Sequence, residues 1–279
     1  MTTTEIAYFG PEGSFASLVA KRQYSNKRLI PIPSVPEVVE YVKRKKNRLG
    51  IVPIENSSGG IILDTVDCLV DKSFNLYIQE ELGIQVKLAF LGHRNKMVKV
   101  IYSHFAPLLH CEKWIRLHYP KAETRRVGST SEAAKIAAKD KNAAAIGTAK
   151  SAKIYGLDII TPHIEKDIPN VTQFFTLGHK QQRFDPKKNY LQTSLVVFLK
   201  DQVGSLCRYL EPYAEEGVNL NRIVSRNVIG QPNTYVFLIG VDAALEEKAM
   251  HEAINNSRRY ANSVRPLGSY PRLKTFEAE

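Results

Sequence analysis

Three short segments of small polar residues hold the side chains that could bind or transform a small anion. They are residues 10–15 (GPEGSF), 53–60 (PIENSSGG) and 170–174 (NVTQF). The first two follow predicted strands, and the third is predicted as a loop that leads into a strand at 174–177. Backbone N–H groups left free at a helix start, together with the helix dipole, suit a carboxylate. One such segment can be only a helix cap, but three together predict an anion site.

The elements that must position these segments alternate between strand and helix from residue 5 to residue 180. Strands are predicted at 6–9, 49–54, 84–91, 98–102 and 143–146. Helices are predicted at 14–25, 61–70, 103–118 and 149–155, and after the capping boxes that begin at Ser34 and Ser129. Such alternation with short loops predicts largely parallel sheets.

The pattern changes after residue 180, where a polar stretch with Pro186 is predicted as a linker. Strand, helix, strand, strand, helix and strand follow, at 193–199, 203–215, 219–225, 234–241, 245–255 and near Val264, with a turn at 230–233. The order βαββαβ is that of a ferredoxin-like sandwich. We therefore predict one domain at 1–180, a linker at 181–191 and a second domain at 192–272.

Composition indicates an ordinary soluble globular chain. Its 279 residues are 43% hydrophobic and 24% charged, which permits one large domain or two of moderate size. The cysteines Cys68, Cys111 and Cys207 lie far apart and in no metal-ligand spacing, so a reducing cytoplasm is predicted. We find neither a signal peptide nor an apolar run near the roughly 20 residues that span a bilayer.

The net charge of +11, from 39 Lys+Arg and 28 Asp+Glu, is the unusual feature of the composition. It fits nucleic acid, an anionic membrane or small anionic substrates steered into a cleft. The densest basic cluster, residues 43–48 (KRKKNR), closes a predicted helix and has no aromatic residue for base stacking. The cluster is therefore interpreted as a solvated helix end, and neither a nucleic-acid nor a membrane partner is expected.

The three polar segments resemble motifs of the prephenate dehydratase family, which carries G-P-E-G-(S/T)-F, V-P-I-E-N-S and N-x-T-R-F. The matching residues here are 10–15, 52–57 and 170–174, in the same order. The similarity covers about residues 5–180, and the remainder resembles the ACT regulatory domain that usually follows. The resemblance implies an α/β fold: a two-lobed, periplasmic-binding-protein-like catalytic domain with its site between the lobes, then a ferredoxin-like ACT domain.

The resemblance also implies an activity. In the family, prephenate loses its ring carboxylate and ring hydroxyl together and becomes phenylpyruvate, without a metal or organic cofactor. ACT modules commonly pair edge to edge, so a homodimer or homotetramer is expected.

This chain departs from the family pattern at several positions. Gln173 replaces the arginine of T-R-F, His110 replaces a glutamine thought to line the pocket, and Gly128 stands where glutamate is frequent. In the ACT region the phenylalanine-sensing E-S-R-P reads VSRN at 224–227, and G-A-L reads GSL at 204–206. We therefore expect a dimerisation role for that domain and weak or no response to phenylalanine.

The departures leave two reactions open. Loss of carbon dioxide pushes an electron pair into the ring, and a dehydratase directs this pair onto the ring hydroxyl, which needs a hydrogen-bond donor. If a ring carbon is protonated instead, the product is a dihydro-4-hydroxyphenylpyruvate, as in the related non-aromatising prephenate decarboxylases of antibiotic biosynthesis. Gln173 removes a charge and His110 adds a proton donor, which favours the decarboxylase. The retained Thr172 favours the dehydratase, and a small-molecule sensor without turnover is a third reading.

The resemblance and the departures from it give roles to ten residues. Structural alternatives stay open for four of them: a helix cap for Glu55 and Ser103, a turn hydroxyl for Thr172 and a core histidine for His110. The catalytic set is Thr172, Asn56, Glu55 and His110, the last for proton delivery. The substrate-binding set is Ser57, Ser103, Asn170, Gln173, Phe174 and Gly13.

Overall fold

The computed structural model describes residues 4–164, 169–185, 190–228, 230–231, 234–272 and 274–277. Within these ranges the chain forms three β-sheets. The predicted linker at 181–191 and the predicted turn at 230–233 lie partly outside the described residues. None of the helices in these ranges is both long and apolar enough to cross a bilayer.

The first lobe begins with five strands and three helices. They are β1 Glu5–Phe9, α1 Phe15–Gln23, β2 Arg28–Ile32, α2 Val35–Lys43, β3 Arg48–Asn56, β4 Gly60–Ile61, α3 Leu63–Val70 and β5 Tyr77–Gln85. Helices α1 and α2 begin after Ser14 and Ser34, whose side chains accept hydrogen bonds from backbone N–H groups of the first turn. The four valines of α2 recur at helical spacing and all are buried, so this helix forms by packing one apolar face on the sheet.

The second lobe is a smaller α/β unit. Its elements are β6 Leu88–Gly92, β7 Val100–Ser103, α4 Phe105–His110, α5 Glu112–His118, β8 Glu123–Arg126, α6 Thr130–Ala137, β9 Ala143–Gly147, α7 Ala149–Tyr155 and β10 Asp158–Ile164. The strand order is β10-β6-β9-β7-β8, and all five residues of the central strand β9 are buried. The alanine side chains of β9 let α6 pack closely on the sheet.

The chain then returns to the first lobe. Strand β11 Val171–Gly178 lies between β3 and β5 and runs antiparallel to both. Near the other end of the chain, β16 Lys274–Glu277 adds a parallel edge strand beside β5. The first sheet therefore has the order β16-β5-β11-β3-β1-β2, with β4 paired to β3. The lobes are joined by the connections β5–β6 and β10–β11, which leaves a cleft between them.

The third sheet has the predicted βαββαβ order. Its elements are β12 Leu191–Leu199, α8 Ser205–Glu215, β13 Leu220–Asn227, β14 Tyr235–Val241, α9 Lys248–Ser257 and β15 Ala261–Pro271. The strand order β13-β14-β12-β15 is antiparallel throughout. One face packs against α8 and α9, and the other packs against the first sheet, where Tyr270 meets Phe175 edge-on at 5.6 Å between ring centroids.

Several sequence predictions differ from this structure. The apolar run 84–91 is two strands, because the chain passes from one lobe to the other at Val86. The helix predicted at 103–118 is divided at Cys111 into α4 and α5. The sheets of both lobes are mixed rather than largely parallel, because β11 and β6 run antiparallel to their neighbours. Strand β16 lies beyond the predicted domain end at 272.

Candidate active site

A β-bulge decides which side chains of β3 and β11 face the cleft. Thr172 lies opposite Asn56 and Gln173 opposite Glu55, but Phe174 lies opposite Pro53, so Ile54 is an extra residue on β3. An extra residue reverses the alternation of side chains along a strand. Asn56 and Thr172 therefore face the cleft, whereas Glu55 and Gln173 face the third sheet.

The Asn56 amide is fixed by five hydrogen bonds, of which the one from Nδ2 to the Val171 carbonyl is the longest at 3.5 Å. Its Oδ1 accepts from the backbone N–H groups of Ser58 and Gly59, at 3.0 and 2.7 Å. Its Nδ2 must therefore be the donor to Asn170 Oδ1 at 2.8 Å and to Thr172 Oγ1 at 2.9 Å. Because the Thr172 hydroxyl accepts this bond, its own proton is left to point elsewhere. Thr172 thus offers a hydrogen-bond donor to the cleft.

Ser57 and Asn170 hold the entry to β11. Ser57 Oγ accepts from the Val171 N–H at 2.9 Å and donates to the Pro169 carbonyl at 3.3 Å. Asn170 is buried, and its carbonyl accepts from the Val86 N–H at 2.6 Å. Both side chains therefore order the segment that presents Thr172.

A cavity of about 410 Å³ lies between the lobes, next to Asn56 and Thr172. Its described lining consists of Phe9, Gly10, Ser14, Phe15, Ala16, Val35, Pro53, Asn56, Ile61, Ile62, Leu63, Asp64, Val86, His104, Phe105, Ala106, Pro107, Gly128, Ser129, Thr130, Asn170, Thr172 and Phe174. The volume is that of a small-molecule site, and most of the lining is apolar with a few convergent polar groups.

The starts of four helices line this cavity. The first residues of α1, α3, α4 and α6 all line it. The first turn of α3 and that of α4 have no side-chain cap, which leaves the N–H groups of Leu63 and Asp64 and of Phe105 and Ala106 for a ligand or water. The described lining contains neither lysine nor arginine. A bound carboxylate would therefore be held by N–H groups and helix dipoles.

Two ionisable side chains occur in the described lining, Asp64 and His104. Burial lowers the pKa of His104 below its ordinary value, so its imidazole is neutral at pH 7. Neutral His104 can accept or donate one hydrogen bond without adding charge. An anion in this cavity would therefore depend on backbone N–H, hydroxyl and amide donors on the side away from Asp64.

A family model described as prephenate dehydratase matches residues 6–182. The chain belongs to the prephenate dehydratase family. Among its relatives, the prephenate dehydratase of Methanocaldococcus jannaschii is 32% identical, covering 95% of this chain and 97% of the relative. The bifunctional chorismate mutase/prephenate dehydratase of Pseudomonas aeruginosa is 31% identical over 96% of this chain and 73% of the relative.

Solved structures of prephenate dehydratases share the fold. The enzyme from Arthrobacter aurescens, in complex with L-Phe, superposes with a TM-score of 0.85 at 26% identity. That match covers 96% of this chain and 90% of the other chain. The α/β class and the two-lobed architecture predicted from the sequence are thereby confirmed.

The prephenate dehydratase motifs contribute to two different surfaces. Of the predicted site residues, Asn56, Asn170, Thr172 and Phe174 come together in the cavity. Glu55 does not, because the bulge turns it toward the third sheet. Gln173 is likewise turned away, and its Oε1 accepts from Arg222 Nη2 at 2.7 Å. The expectation that Gln173 removes a charge from the substrate pocket is therefore corrected.

Four further predicted residues lie outside the described lining of the cavity: Ser57, Ser103, His110 and Gly13. Ser57 orders the start of β11, as described above. Ser103 is fully buried and donates to the Ile146 carbonyl at 2.7 Å, so it anchors β7 to β9. His110 lies at the end of α4, where its Nδ1 is 2.8 Å from Ser58 Oγ. Gly13 has φ +85°, a backbone conformation that side-chain-bearing residues rarely adopt, so its glycine serves the turn before α1.

Sequence reasoning missed several lining residues because their signals were interpreted as helix starts only. Ser129 caps α6 through the Glu132 N–H at 3.0 Å, and it also lines the cavity. Ser14 and His104 are likewise the N-cap residues of α1 and α4, and Asp64 lies in the first turn of α3. A capping residue that follows a central strand was the available signal, since such residues gather at one edge of a sheet.

Proposed function

We propose that the chain is a prephenate dehydratase, which converts prephenate to phenylpyruvate, carbon dioxide and water in aromatic amino acid biosynthesis. The observation that carries this proposal is the Thr172 hydroxyl, which accepts from Asn56 and keeps its proton for the cavity. The relatives that match over most of this chain bear the same activity in their names. The sequence-based preference for a decarboxylase is revised, since Gln173 and His110, on which it depended, are not among the cavity's lining residues.

The cavity suits the charge of prephenate, which carries two carboxylates and an apolar ring. The carboxylates would meet the N–H groups at the starts of α3, α4 and α6, and the ring would lie against Phe105 and Phe174. Among the described lining residues, no lysine or arginine opposes departure of the ring carboxylate. The net charge of +11 draws the dianion to the protein from a distance.

The reaction then needs one well-placed donor. The bond from the ring to the carboxylate breaks and releases carbon dioxide, and its electron pair completes the aromatic ring. The ring-to-hydroxyl bond breaks at the same time, and the hydroxyl leaves as water after taking a proton from solvent. Thr172 donates a hydrogen bond to this oxygen as negative charge develops on it, which lowers the barrier. Asn56 fixes the direction of that donor.

Non-aromatising decarboxylation of prephenate is the second candidate function. The observation in its favour is Gly128, which lines the cavity where the family often has glutamate. Without a carboxylic acid there, the hydroxyl has fewer donors, and a proton from water could reach a ring carbon instead.

Product identity separates these candidates. The purified protein is incubated with prephenate, and the mixture is examined by NMR, with prephenate alone as the control for spontaneous decay. Aromatic phenylpyruvate signals formed with carbon dioxide support the proposal. A cyclohexadiene product that retains the hydroxyl would instead establish the decarboxylase, and the absence of turnover would favour a sensor.

The third sheet and its two helices are proposed to be an ACT domain, with a catalytic domain at 1–180, a linker at 181–191 and this domain at 192–272. We propose a homodimer or homotetramer through this domain and a weak or absent response to phenylalanine. Support comes from Arg226 of the altered 224–227 segment, which pairs with Asp67 of α3. Light scattering measures the assembly, and micromolar binding of L-phenylalanine in calorimetry would contradict the second point. A cytoplasmic location stays a prediction from the cysteines.

A further inference from the structure

The guanidinium of Arg222, on β13, packs against the face of the first sheet that is opposite the cavity. Its side chain is only 7% exposed. Nη2 donates to Gln173 Oε1 at 2.7 Å, to Glu81 Oε1 at 3.1 Å and to Glu55 Oε2 at 3.3 Å. The guanidinium also lies over the ring of Phe175, 5.3 Å from its centroid. One side chain of the third sheet therefore contacts the neighbouring strands β3, β11 and β5.

These contacts are adjacent in sequence to the residues of the cavity. Glu55 precedes Asn56 on β3, and Gln173 follows Thr172 on β11, and the two pairs lie opposite each other in the register. Arg222 donates to both Glu55 and Gln173. It thus holds the two strands together one residue away from the Asn56–Thr172 hydrogen bond.

The charge balance makes this contact specific. Glu81 is 4% exposed and also accepts from Gln192, so a buried carboxylate needs a cation here. Burial opposes the charge of Arg222, but Tyr270, Glu81 and Glu55 outweigh that effect and raise its pKa above the ordinary value. In the family motif N-x-T-R-F, an arginine occupies the position of Gln173. In this chain the residue at that position, Gln173, accepts a hydrogen bond from a cation of β13, Arg222.

We propose that Arg222 is a positioning residue for the dehydratase reaction, which sets the Asn56–Thr172 geometry through Glu55 and Gln173 and takes over the part of the motif arginine. The inference rests on the proposed function of the cavity. Arg222 is absent from the cavity lining, so substrate binding depends on it little. Its effect is on the direction of the Thr172 donor, and displacements of about 1 Å near a reacting group cost about 100-fold in rate.

The test moves the cationic side chain from β13, at position 222, to β11, at position 173. Arg222→Lys keeps the charge but loses the fork, and Arg222→Gln removes both. In Arg222→Gln/Gln173→Arg the cation returns to the same cluster from β11, in the family arrangement. We expect kcat to fall about 10-fold in the lysine variant and about 100-fold in the glutamine variant, with KM within about threefold of wild type. The double variant should recover to within about threefold of the wild-type kcat.

Arg226→Gln is the matched control. Arg226 lies on the same strand and pairs with Asp67 of the first lobe, but it contacts neither β3 nor β11. Its kcat should stay within twofold of wild type. Circular dichroism and melting temperature measure folding for every variant, and rates are expressed per folded protein. If Arg222→Gln does not fold, the lysine and double variants carry the comparison.

Two results would overturn the inference. One is a lysine variant with a lower melting temperature but an unchanged kcat, which is the signature of a structural contact. The other is a folded double variant with a kcat no higher than that of the lysine variant. Recovery of kcat in the double variant, with KM steady throughout, supports it.

A second readout distinguishes failure of this inference from failure of the proposed function. Carbon dioxide release is measured beside phenylpyruvate, so the comparison still works if wild type decarboxylates without aromatising. If wild type does not act on prephenate, the Asn56 side-chain amide signal in two-dimensional NMR replaces the rate. That signal should move in Arg222→Lys and return in the double variant.

Discussion

Replacing Thr172 by valine removes one hydroxyl and little volume, and it tests the core of the proposed reaction. The lost group is the donor that faces the cavity and the acceptor of one Asn56 hydrogen bond. Asn56 Nδ2 keeps Asn170 Oδ1 at 2.8 Å, so stability should fall by about 1 kcal/mol. Loss of a donor to a developing negative charge should raise the barrier by about 3–4 kcal/mol, which is about 100- to 1,000-fold in kcat.

The two magnitudes differ enough to be separated. Steady-state formation of phenylpyruvate from prephenate gives kcat, and urea unfolding gives the free energy of unfolding. Thr172→Ser keeps the hydroxyl and should retain kcat within about 10-fold, since only the methyl group and some rotamer restriction are lost.

Thr176→Val is the control for the loss of a buried threonine hydroxyl on the same strand. Thr176 is fully buried, and its Oγ1 donates to Glu80 Oε1 at 3.3 Å, away from the cavity. Its kcat should be close to wild type. A Thr172→Val enzyme within threefold of wild type would refute the assignment of Thr172 as the donor to the leaving hydroxyl.

Three further predictions concern the rest of the site. Gly128→Glu should fold, because a Cβ there meets only the flexible end of Glu132 at 2.9 Å, and it should raise the phenylpyruvate share of any mixed product seen by NMR. Because the buried imidazole of His104 resists protonation, its contribution to stability in urea should fall as pH drops below 6.5, its ordinary pKa, and level off below its lowered folded-state pKa. The difference between wild type and His104→Gln measures this contribution. His110→Ala should leave the product unchanged and kcat within threefold of wild type, because His110 contacts Ser58 outside the described lining of the cavity. A changed product would instead support the role of His110 in proton delivery.

The sequence was informative about elements and much less so about side-chain direction. The capping box at Ser34 predicted the start of α2, and the strand-helix alternation predicted both lobes. Strand β3 was predicted to end at Ile54, and the segment before Phe174 was predicted as a loop, yet both strands include the motif residues. With loops assumed, every motif side chain was free to be assigned to the pocket.

Even with correct strand limits, the sequence would have predicted the wrong side-chain directions in β3, because this strand contains the bulge. Simple alternation from Ile51, which packs on the cleft side, would send Glu55 into the cavity and Asn56 away from it. The extra residue at Ile54 reverses both directions. Pro53 was the available signal, because proline inside a central strand has no N–H for the ladder and is found at bulges. Arg222 had no local signal, since the nearest hydrogen-bond partner of its guanidinium in the sequence, Gln173, lies 49 positions away.

The bulge also explains how two functions share one pair of strands. Asn56 and Thr172 serve the cavity, while their sequence neighbours Glu55 and Gln173 serve the contact with the third sheet. Because β3 and β11 are hydrogen-bonded at these residues, neither surface can shift without moving the other. The cation that pairs with Glu55 and Glu81 comes from the third sheet, since Arg222 belongs to β13. An arginine on β11 would hold the site within the lobe, whereas Arg222 makes the same geometry depend on how the third sheet is docked.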